Sequence, residues 1–479
     1  MRKNKHRIGV FGVGYDKYWD QFPGLYDELK AKHHAFIKKI PDKEAEIMDF
    51  GISDTPVKAY EIARKLESAC PDIVFCTMLT YATSGTIGII IKTLMVPLVL
   101  VALQPLKALD YSKASTYMQL ANDDICALPE FAGVALRMGK KVPDIIIGTL
   151  HDDPEADREI DEYCHIARVL HSLKTAHLGH IGHPINVMLD MHTDITMITS
   201  AFGCHVSELE AHELTDFYRK AGEKETASAR DLILGFFDTP DPVSDPVAIK
   251  LRDSDLLTAA RVYAALDHFV REKKLDGLAY YYDGPSESDE RIVMSNLIVG
   301  NSILASRGFP MCGESDLKTL IALMIMDRLG IGGSFAELHP VDFNEGFVLV
   351  GHDGPHNISI ASGKPVLRSL KKYHGKPGSG AGVEFKIKVG PVTLLSINST
   401  YKGGFKFIIA EGESMEGPIP PTGNTNTRGF FKPDVKTFLH RWIKEGPTHH
   451  FALGVGHHAR ELKKIADYLD IESVIIPKD

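Results

Sequence analysis

The sequence predicts an α/β fold in which two doubly wound (Rossmann- or flavodoxin-like) domains are followed by a β-rich C-terminal domain. In the first third, short apolar runs alternate with segments whose apolar residues recur at helical spacing. A second set of such runs begins near residue 172, and from about residue 331 short strands with polar alternation take over. We therefore expect domains at 1–171, 172–330 and 331–479, in line with about 150 residues per domain.

The first domain is predicted from four apolar runs that lack polar alternation, as expected for strands of a parallel sheet covered on both faces. Segments such as PVKAYEIARKLESAC, with apolar residues at helical spacing, lie between them. The four predicted strands are RIGVF (7–11), DIVFCT (72–77), PLVLVAL (97–103) and PDIIIGTL (143–150).

In the central domain, TAHLGHIG, DGLAYYYD and GFPMCGE are read as strand ends that run into loops. DLLTAARVYAALDHFVREKK (255–274) is a predicted helix. A second helix is predicted in ESDLKTLIALMIMDRLG, where Ser315 or Asp316 can cap the start and Gly330 can end it.

The C-terminal domain is predicted to contain antiparallel strands within 383–401 and 404–413. The proline- and glycine-rich segment 412–429 is read as a loop. A closing helix is expected to pack through one apolar face, made of Leu462, Ile465, Ala466 and Leu469.

Composition narrows the possible partners. The formal net charge is -9, and no basic stripe suited to phosphate binding is present, so nucleic-acid partners are not expected. The most apolar segment, which begins at Ile87, is broken by Lys92 and Pro97 and predicts no membrane span. The six cysteines form no CxxC pair, which argues against a zinc knuckle or a disulfide framework. We expect a reducing, cytoplasmic location.

Four histidines fall within the segment 446–461, GPTHHFALGVGHHARE. His449 and His450 follow a predicted helix, and a loop in this place can point one imidazole inward. His457 and His458 lie at the predicted start of the closing helix, where solvent exposure is expected. The paired histidines are therefore the better candidates for metal or proton chemistry.

Two carboxylates and a further histidine occupy positions where such groups can meet. Glu314 follows an apolar strand and precedes a helix, whose N-terminus favours negative charge. Glu337 and His352 lie at the edges of neighbouring short strands and can converge, and His339 lies nearby. Each residue alone has an ordinary structural explanation. Together, two carboxylates and two histidines form a mixed oxygen and nitrogen donor set, which suits manganese, cobalt or magnesium better than structural zinc.

Two other segments are weaker candidates for a ligand-binding or metal site. In GVFGVGYDKYW, Gly12 and Gly14 match the first two glycines of a dinucleotide fingerprint, but Lys17 occupies the third position. A tight turn between strand and helix is the favoured interpretation. The histidines between His177 and His192 could form a second metal site, although substrate-facing or plain loop histidines are favoured there.

The sequence resembles the L-arabinose isomerase family, within the L-arabinose/L-fucose isomerase group, over nearly the whole chain. The resemblance is strongest at 306–356 and 446–476. The matching motifs are Gly313-Glu314-Ser315-Asp316 with Lys318-Thr319, then Ser334-Phe335-Ala336-Glu337, Gly351-His352 and Thr448-His449-His450. The resemblance places the family's metal ligands on Glu314, Glu337, His352 and His450.

The resemblance implies a metal-dependent aldose–ketose isomerase, most simply converting L-arabinose to L-ribulose, with D-galactose to D-tagatose as a side activity. It implies that Glu314 and Glu337 carry out acid and base steps, and that the cofactor is Mn²⁺, with Co²⁺ or Mg²⁺ possible. A homo-oligomer with sites between subunits is also implied. Residues expected to contact the sugar are Gln104, His449 and Tyr15, with Trp19 and Phe335 as possible apolar walls.

The sequence also departs from the family pattern. Leu338 stands where the family usually has Asp, Cys126 stands where it has a histidine, and Tyr15, Asp16 or Lys17 stands where it has a first-loop glutamine. These changes leave open the same reaction on a different or substituted sugar. A non-catalytic sugar-binding protein and a nicotinamide-dependent dehydrogenase are alternatives from other classes; the missing third glycine argues against the dehydrogenase.

Overall fold

The computed structural model describes residues 5–41, 43–185, 188–241, 248–370, 372–373, 376–377, 380–422 and 424–477. The chain packs into two compact units, one ending at His171 and the other beginning at Ser172. The further boundary expected at residue 330 stays a prediction. Within the described ranges, no helix has both the length and the apolar character needed to cross a membrane.

The first unit contains one five-stranded parallel sheet in the order 2-1-3-4-5, which is the flavodoxin-like order. Its strands are β1 (Arg7–Val13), β2 (Glu46–Ser53), β3 (Ile73–Met78), β4 (Leu98–Gln104) and β5 (Asp144–Thr149). Its helices are α1 (Lys17–Gln21), α2 (Leu25–Lys39), α3 (Pro56–Ala69), α4 (Gly88–Thr93), α5 (Thr116–Ala121), α6 (Leu128–Arg137) and α7 (Pro154–Thr175).

Both faces of the sheet are covered at β1, β3 and β4, as the continuous apolar runs predict, whereas the edge strand β5 leaves Ile145 and Ile147 exposed. On one face, α3, α4 and α6 pack on strand residues such as Val74 and Leu100. On the other face, Phe75 lies between Phe36 of α2 and Tyr163 of α7, with ring centroids 5.6 and 6.3 Å away. The four predicted strands are confirmed. β2 was not predicted, because this edge strand carries polar residues and a glycine in place of an apolar run.

A buried ion pair ties α2 to the loop before α6. The ammonium group of Lys32 contacts Asp124 and donates to the carbonyl of Leu79 at 3.3 Å. Both charged side chains are buried. Burial lowers the pKa of Lys32 and raises that of Asp124 to about 6, because a low dielectric disfavours each charge.

Replacing Lys32 by methionine is expected to lower the free energy of unfolding by about 3 to 5 kcal/mol, because Asp124 is left buried without its cation. The double variant Lys32→Met with Asp124→Leu is expected to recover most of that loss, since it removes both charges. Calorimetric unfolding of the full chain measures both effects. A single variant as stable as wild type would contradict this account of the pair.

The second unit begins with a four-stranded parallel sheet in the order β10-β9-β6-β7, surrounded by helices. Its strands are β6 (His177–Ile181), β7 (His205–Leu209), β9 (Gly277–Tyr280) and β10 (Met311–Cys312), and a short β8 (Ala248–Ile249) belongs to a separate sheet. The helices are α8 (Ile195–Phe202), α9 (Ala211–Lys220), α10 (Glu223–Phe236), α11 (Asp253–Glu272), α12 (Asp289–Ser295), α13 (Leu297–Ala305) and α14 (Leu317–Arg328).

The rest of this unit is rich in β-structure. Its larger strands are β11 (Gly332–Asp342), β12 (Phe347–His352), β17 (Gly390–Thr400), β18 (Gly404–Met415), β19 (Thr425–Phe430), β20 (Phe451–Val455) and β21 (Glu472–Ile476). The shorter strands are β13 (Val366–Leu370), β14 (Lys372–Tyr373), β15 (Lys376–Pro377) and β16 (Ala381–Glu384). Two helices follow in this region, α15 (Val435–Lys444) and α16 (Ala459–Tyr468).

Six of the larger strands close into a barrel. Their order is β17-β20-β11-β12-β19-β18, and β18 pairs back with β17 along its length. β21 adds to β18 in parallel. The predicted fold class, parallel α/β sheets followed by a β-rich domain, is confirmed.

One local prediction for this region is wrong, and one strand was not predicted. The predicted loop 412–429 is strand at both ends, because β18 continues to Met415 and pairs with β19, which starts at Thr425. The segment after His450 is also a strand, β20, which pairs with β11 and β17. Both segments are stabilised by pairing with other strands of the barrel. The proline and glycine content of a segment does not reveal such pairing.

Helix α14 links the central sheet to the barrel. It packs against β11, β17 and β20 on one side and against β9 and β10 on the other. All of its residues from Leu317 to Met326 are buried, which explains why the sequence is apolar around the whole helix. Asp316 caps its start by accepting from the backbone N–H groups of Lys318 and Thr319, so of the two predicted caps the aspartate is the one used.

Candidate functional site

Four predicted site residues come together where the barrel meets α14. Glu337 lies on β11, His352 ends β12, and His450 immediately precedes β20. Glu337 pairs with Gly351, and Ala336 pairs with Phe451, so the strand register makes the three side chains neighbours.

Gly351 permits this arrangement. A Cβ at this position would collide with the carbonyl oxygen of Thr425 on β19. The close strand pairing beside His352 therefore requires glycine.

The fourth residue, Glu314, is held by a tight turn between β10 and α14. Glu314 and Ser315 both have left-handed backbone conformations, with φ values of 55° and 61°. The Ser315 hydroxyl donates to the carbonyl of Ile181 at 3.1 Å, and the Ile185 amide donates to the carbonyl of Glu314 at 3.2 Å. Two consecutive strained residues that the surroundings hold in place are characteristic of functional sites.

The side-chain atoms of these residues converge. His450 Nε2 lies 3.4 Å from Glu314 Oε2, and His352 Nε2 lies 3.9 Å from Glu337 Oε1. Potential ligand atoms of Glu314, His352 and His450 all lie within 4.8 Å of one another. The same spacing holds for Glu337 with His449 and His450. The structure thus brings together the two carboxylates and two imidazoles that the sequence singles out.

Phe335 forms a rigid apolar support beneath the imidazoles. Its ring centroid is 4.6 Å from that of His352 and 4.3 Å from that of His450, and the residue is 1% exposed. It is therefore part of the core, as favoured, and within the described structure it offers no open wall to a sugar.

His449 and His450 diverge, as expected for a pair with one imidazole inside. The side chain of His450 is 1% exposed, whereas that of His449 is 48% exposed. His449 Nε2 contacts Glu337 Oε2 at 2.6 Å, and its backbone amide donates to Asp190 Oδ2 at 2.7 Å. His449 therefore lies beside the four converging side chains, with part of its ring open to solvent.

Glu337 and the neighbouring histidines shift each other's pKa values. Burial alone would raise the pKa of Glu337, but the contact with His449 and the nearby His352 outweigh it and lower the pKa to about 2. The hydrogen bond to Glu337 raises the pKa of His449 despite partial burial. A carboxylate next to several imidazoles is thus kept ionised.

Sequence reasoning did not select the two aspartates that lie behind the imidazoles. Asp353 Oδ1 is 3.0 Å from His352 Nδ1, and Asp316 Oδ2 is 3.6 Å from His450 Nδ1. An acidic residue directly after a candidate histidine was the available signal for Asp353. His339, which sequence analysis noted, lies 3.7 Å from Glu337 Oε1.

The site also contains buried polar atoms that the protein does not satisfy. Glu314 Oε2 and His450 Nδ1 have no hydrogen-bond partner among the described residues, and the same is true of His339 Nε2. A buried carboxylate oxygen without a donor needs a cation or a water molecule. Two carboxylates and two imidazoles are donors that Mn²⁺ and Co²⁺ accept, so the residues fit a divalent cation.

The other predicted sugar contacts lie in the first unit. Gln104, at the end of β4, donates from Nε2 to the carbonyl of Leu106 at 3.4 Å. The ring of Tyr15 packs edge-on against Tyr18 and Tyr81, with centroid distances of 5.1 and 5.9 Å. Both residues follow strands at the carboxyl edge of the sheet, where α/β domains bind ligands, and their roles stay predictions.

The remaining histidines do not join the converging side chains. His457 is partly exposed and contacts Glu413 at 3.4 Å, while His458 contacts Glu461 at 2.7 Å. Between His177 and His192, no group of three potential metal ligands is found among the described residues. His180 is buried there, and both its ring nitrogens lack a hydrogen-bond partner within the described ranges.

Comparison with known proteins yields one family and a set of related enzymes. A family model described as the C-terminal domain of L-fucose isomerase matches residues 360–476. The L-arabinose isomerase of Nocardioides sp. is 24% identical over 359 residues, covering 73% of this chain and 69% of that protein. The L-arabinose isomerase of Serratia proteamaculans is 22% identical over 362 residues, covering 73% and 70%. The chain is thus similar to these sugar isomerases along most of its length.

Proposed function

We propose that the chain is an aldose–ketose sugar isomerase, like the L-arabinose isomerases to which it is similar over 73% of its length. The simplest substrate is L-arabinose, converted to L-ribulose, with D-galactose to D-tagatose as a side activity. The observation that carries the proposal is the convergence of Glu314, Glu337, His352 and His450 from four separate segments. A structural role alone does not explain why buried Glu314 Oε2 lacks a donor among the described residues.

The proposal includes a divalent metal cofactor, Mn²⁺ first, with Co²⁺ or Mg²⁺ as alternatives. Glu314, Glu337, His352 and His450 would hold it, the two histidines through neutral imidazoles. When bound, such a cation supplies Lewis-acid polarisation of the sugar carbonyl and a template for orienting the substrate.

The two glutamates are proposed to move the proton. Interconversion through an enediol requires a base that takes the proton from C2 and an acid that delivers one to C1. Glu337 lies among three histidines that favour its ionised form, whereas Glu314 has one imidazole within 4 Å. Such different surroundings allow one carboxylate to act as the base and the other to carry a proton. Hydride transfer between the two carbons is the rival route.

His449 is proposed to orient the sugar. Its ring is partly exposed beside Glu337, and its backbone is fixed by Asp190. An imidazole in this place can donate to a substrate hydroxyl while Glu337 holds its orientation. The proposal also retains Gln104 and Tyr15 as sugar contacts and a homo-oligomer as the assembled form.

The same reaction on another sugar is the main alternative, and specific residues favour it. Leu338 and Cys126 occupy positions where the family pattern has polar side chains. Changed sugar contacts around a retained set of metal-ligand candidates would alter the preferred sugar while preserving the chemistry.

A panel of pentoses and hexoses, assayed with Mn²⁺ for ketose formation, tests the proposal. We expect turnover of at least one aldose, with L-arabinose the first candidate. Turnover of another sugar without L-arabinose would establish the alternative substrate. Tight sugar binding with no interconversion, with or without metal, would contradict the enzyme and favour a sugar-binding protein.

A further inference from the structure

His352, at the end of β12, is buried and is contacted by several neighbouring residues. It is 5% exposed, its ring packs on Phe335, and its carbonyl accepts from His356 Nε2 at 2.8 Å. The Nε2 atom faces Glu337, at 3.9 Å from Oε1. The Nδ1 atom faces the other way, toward Asp353 at 3.0 Å. One nitrogen is thus directed at the proposed metal site and the other at a carboxylate.

We propose that Asp353 is a positioning residue that keeps the proton of neutral His352 on Nδ1, so that the Nε2 lone pair faces the metal site. This inference rests on the proposed metal-dependent function. A carboxylate that accepts from the remote nitrogen of a ligating histidine fixes the tautomer and ring orientation and increases the basicity of the ligand. Asp353 Oδ1 lies 3.0 Å from that nitrogen, at the adjacent chain position, with a side chain that is 14% exposed.

A backbone amide competes with the Asp353 carboxylate for His352 Nδ1. The backbone amide of Gly354 donates to His352 Nδ1 at 2.9 Å. While this hydrogen bond is made, the proton of neutral His352 lies on Nε2 and blocks coordination there. The charged carboxylate is the stronger partner, because hydrogen bonds to ionised acceptors are about twice as strong as neutral ones. Asp353 therefore selects between two tautomers that the local backbone leaves possible.

The proposal differs from one in which Asp353 is itself a ligand. Glu337, His352 and Asp353 also have potential ligand atoms within 4.8 Å of one another, a spacing that could admit a second cation. Asp353 already lies at hydrogen-bond distance from Nδ1, whereas the ring nitrogen recorded beside Glu337 is Nε2. The positioning role explains the contact between Asp353 and His352 Nδ1 and requires only one metal ion per chain.

Mn²⁺ binding, measured by the electron paramagnetic resonance signal of free Mn²⁺, tests the proposal without substrate. Asp353→Asn is expected to weaken Mn²⁺ affinity by about 10- to 100-fold, because an amide can turn its NH₂ group toward Nδ1 and favour the wrong tautomer. Asp353→Ala, which removes the partner altogether, is expected to weaken affinity in the same range. Stoichiometry should stay at one ion per chain.

Asp342→Asn is the matched control, since Asp342 lies in the same hairpin and its side chain accepts only from the turn amides of Asn344 and Glu345 in the described contacts. It should leave Mn²⁺ affinity unchanged. Thermal unfolding of the metal-free Asp353 variants should match wild type, which separates positioning from a general loss of structure.

Wild-type affinity in both Asp353 variants would overturn the proposal, and so would a fall from two bound ions per chain to one. Wild-type protein that binds Mn²⁺ but converts no aldose would contradict the isomerase function. It would leave the comparison of Mn²⁺ affinities standing, so the two failures can be told apart.

Discussion

Glu314→Gln and Glu337→Gln are each expected to reduce aldose–ketose turnover by about 10²- to 10⁴-fold, the usual contribution of a positioned acid or base. Glutamine keeps the size of the side chain but can neither take up the proton nor supply the same negative charge. Because Glu314 Oε2 accepts no hydrogen bond from the described residues, its replacement removes no internal bond at that atom. Ketose formation under saturating sugar and Mn²⁺ measures the loss.

The stability of the Glu314 variant should lie within about 1 kcal/mol of wild type, since Glu314 Oε2 accepts no hydrogen bond from the described residues. The Glu337 variant loses a charged contact with His449, which should lower the free energy of unfolding by about 1 to 3 kcal/mol and still leave the protein folded. Glu413→Gln is the matched control, because Glu413 is a partly exposed glutamate on the same barrel. It should retain full activity. A folded Glu314 or Glu337 variant with wild-type turnover would contradict the acid and base assignment.

Removal of divalent metal by a chelator is expected to abolish turnover, and Mn²⁺ is expected to restore it. Metal binding should also stabilise the folded chain, by about 2.7 kcal/mol when free Mn²⁺ exceeds its dissociation constant 100-fold. The reason is that the four proposed ligands come from separate segments of the chain and meet only in the folded state. Thermal unfolding with and without Mn²⁺ measures this effect independently of activity.

His450→Ala should eliminate both the reactivation and the stabilisation by Mn²⁺, because it removes a buried imidazole from the donor set. His457→Ala serves as the control, since His457 is partly exposed and contacts Glu413 outside the converging side chains. A chain that stays fully active after complete removal of metal would exclude the metal-dependent mechanism.

Much of the architecture is visible in local sequence patterns. The unbroken apolar runs of β1, β3, β4 and β5 predict a parallel sheet, because both of its faces must be buried. The all-round apolar α14 is predicted as a helix from its length, its aspartate cap and the glycine after it. The same patterns do not predict β2 and β19. Both strands are stabilised by pairing with neighbouring strands, and their own residues do not form an apolar run.

The candidate site also has features that the sequence predicts and features that it does not. The four proposed ligands are identifiable from residue type, from their place at strand and helix ends, and from the family resemblance. Their convergence depends on β11 lying between β12 and β20, and β20 is more than 100 residues away from β11 in the sequence. Asp353 and Asp316 gain their significance only from which ring nitrogen they face.

The linear order of residues by itself determined the class of fold and the chemistry of the donor groups, because these follow from hydrophobic periodicity and from side-chain type. Only the tertiary structure decided which imidazole of the His449–His450 pair is buried, which carboxylate lacks a donor and which aspartate lies behind each histidine. Those properties depend on ångström-scale distances created by the closed barrel, where a one-residue change in strand register would turn the strand residues Glu337 and His352 to the opposite face.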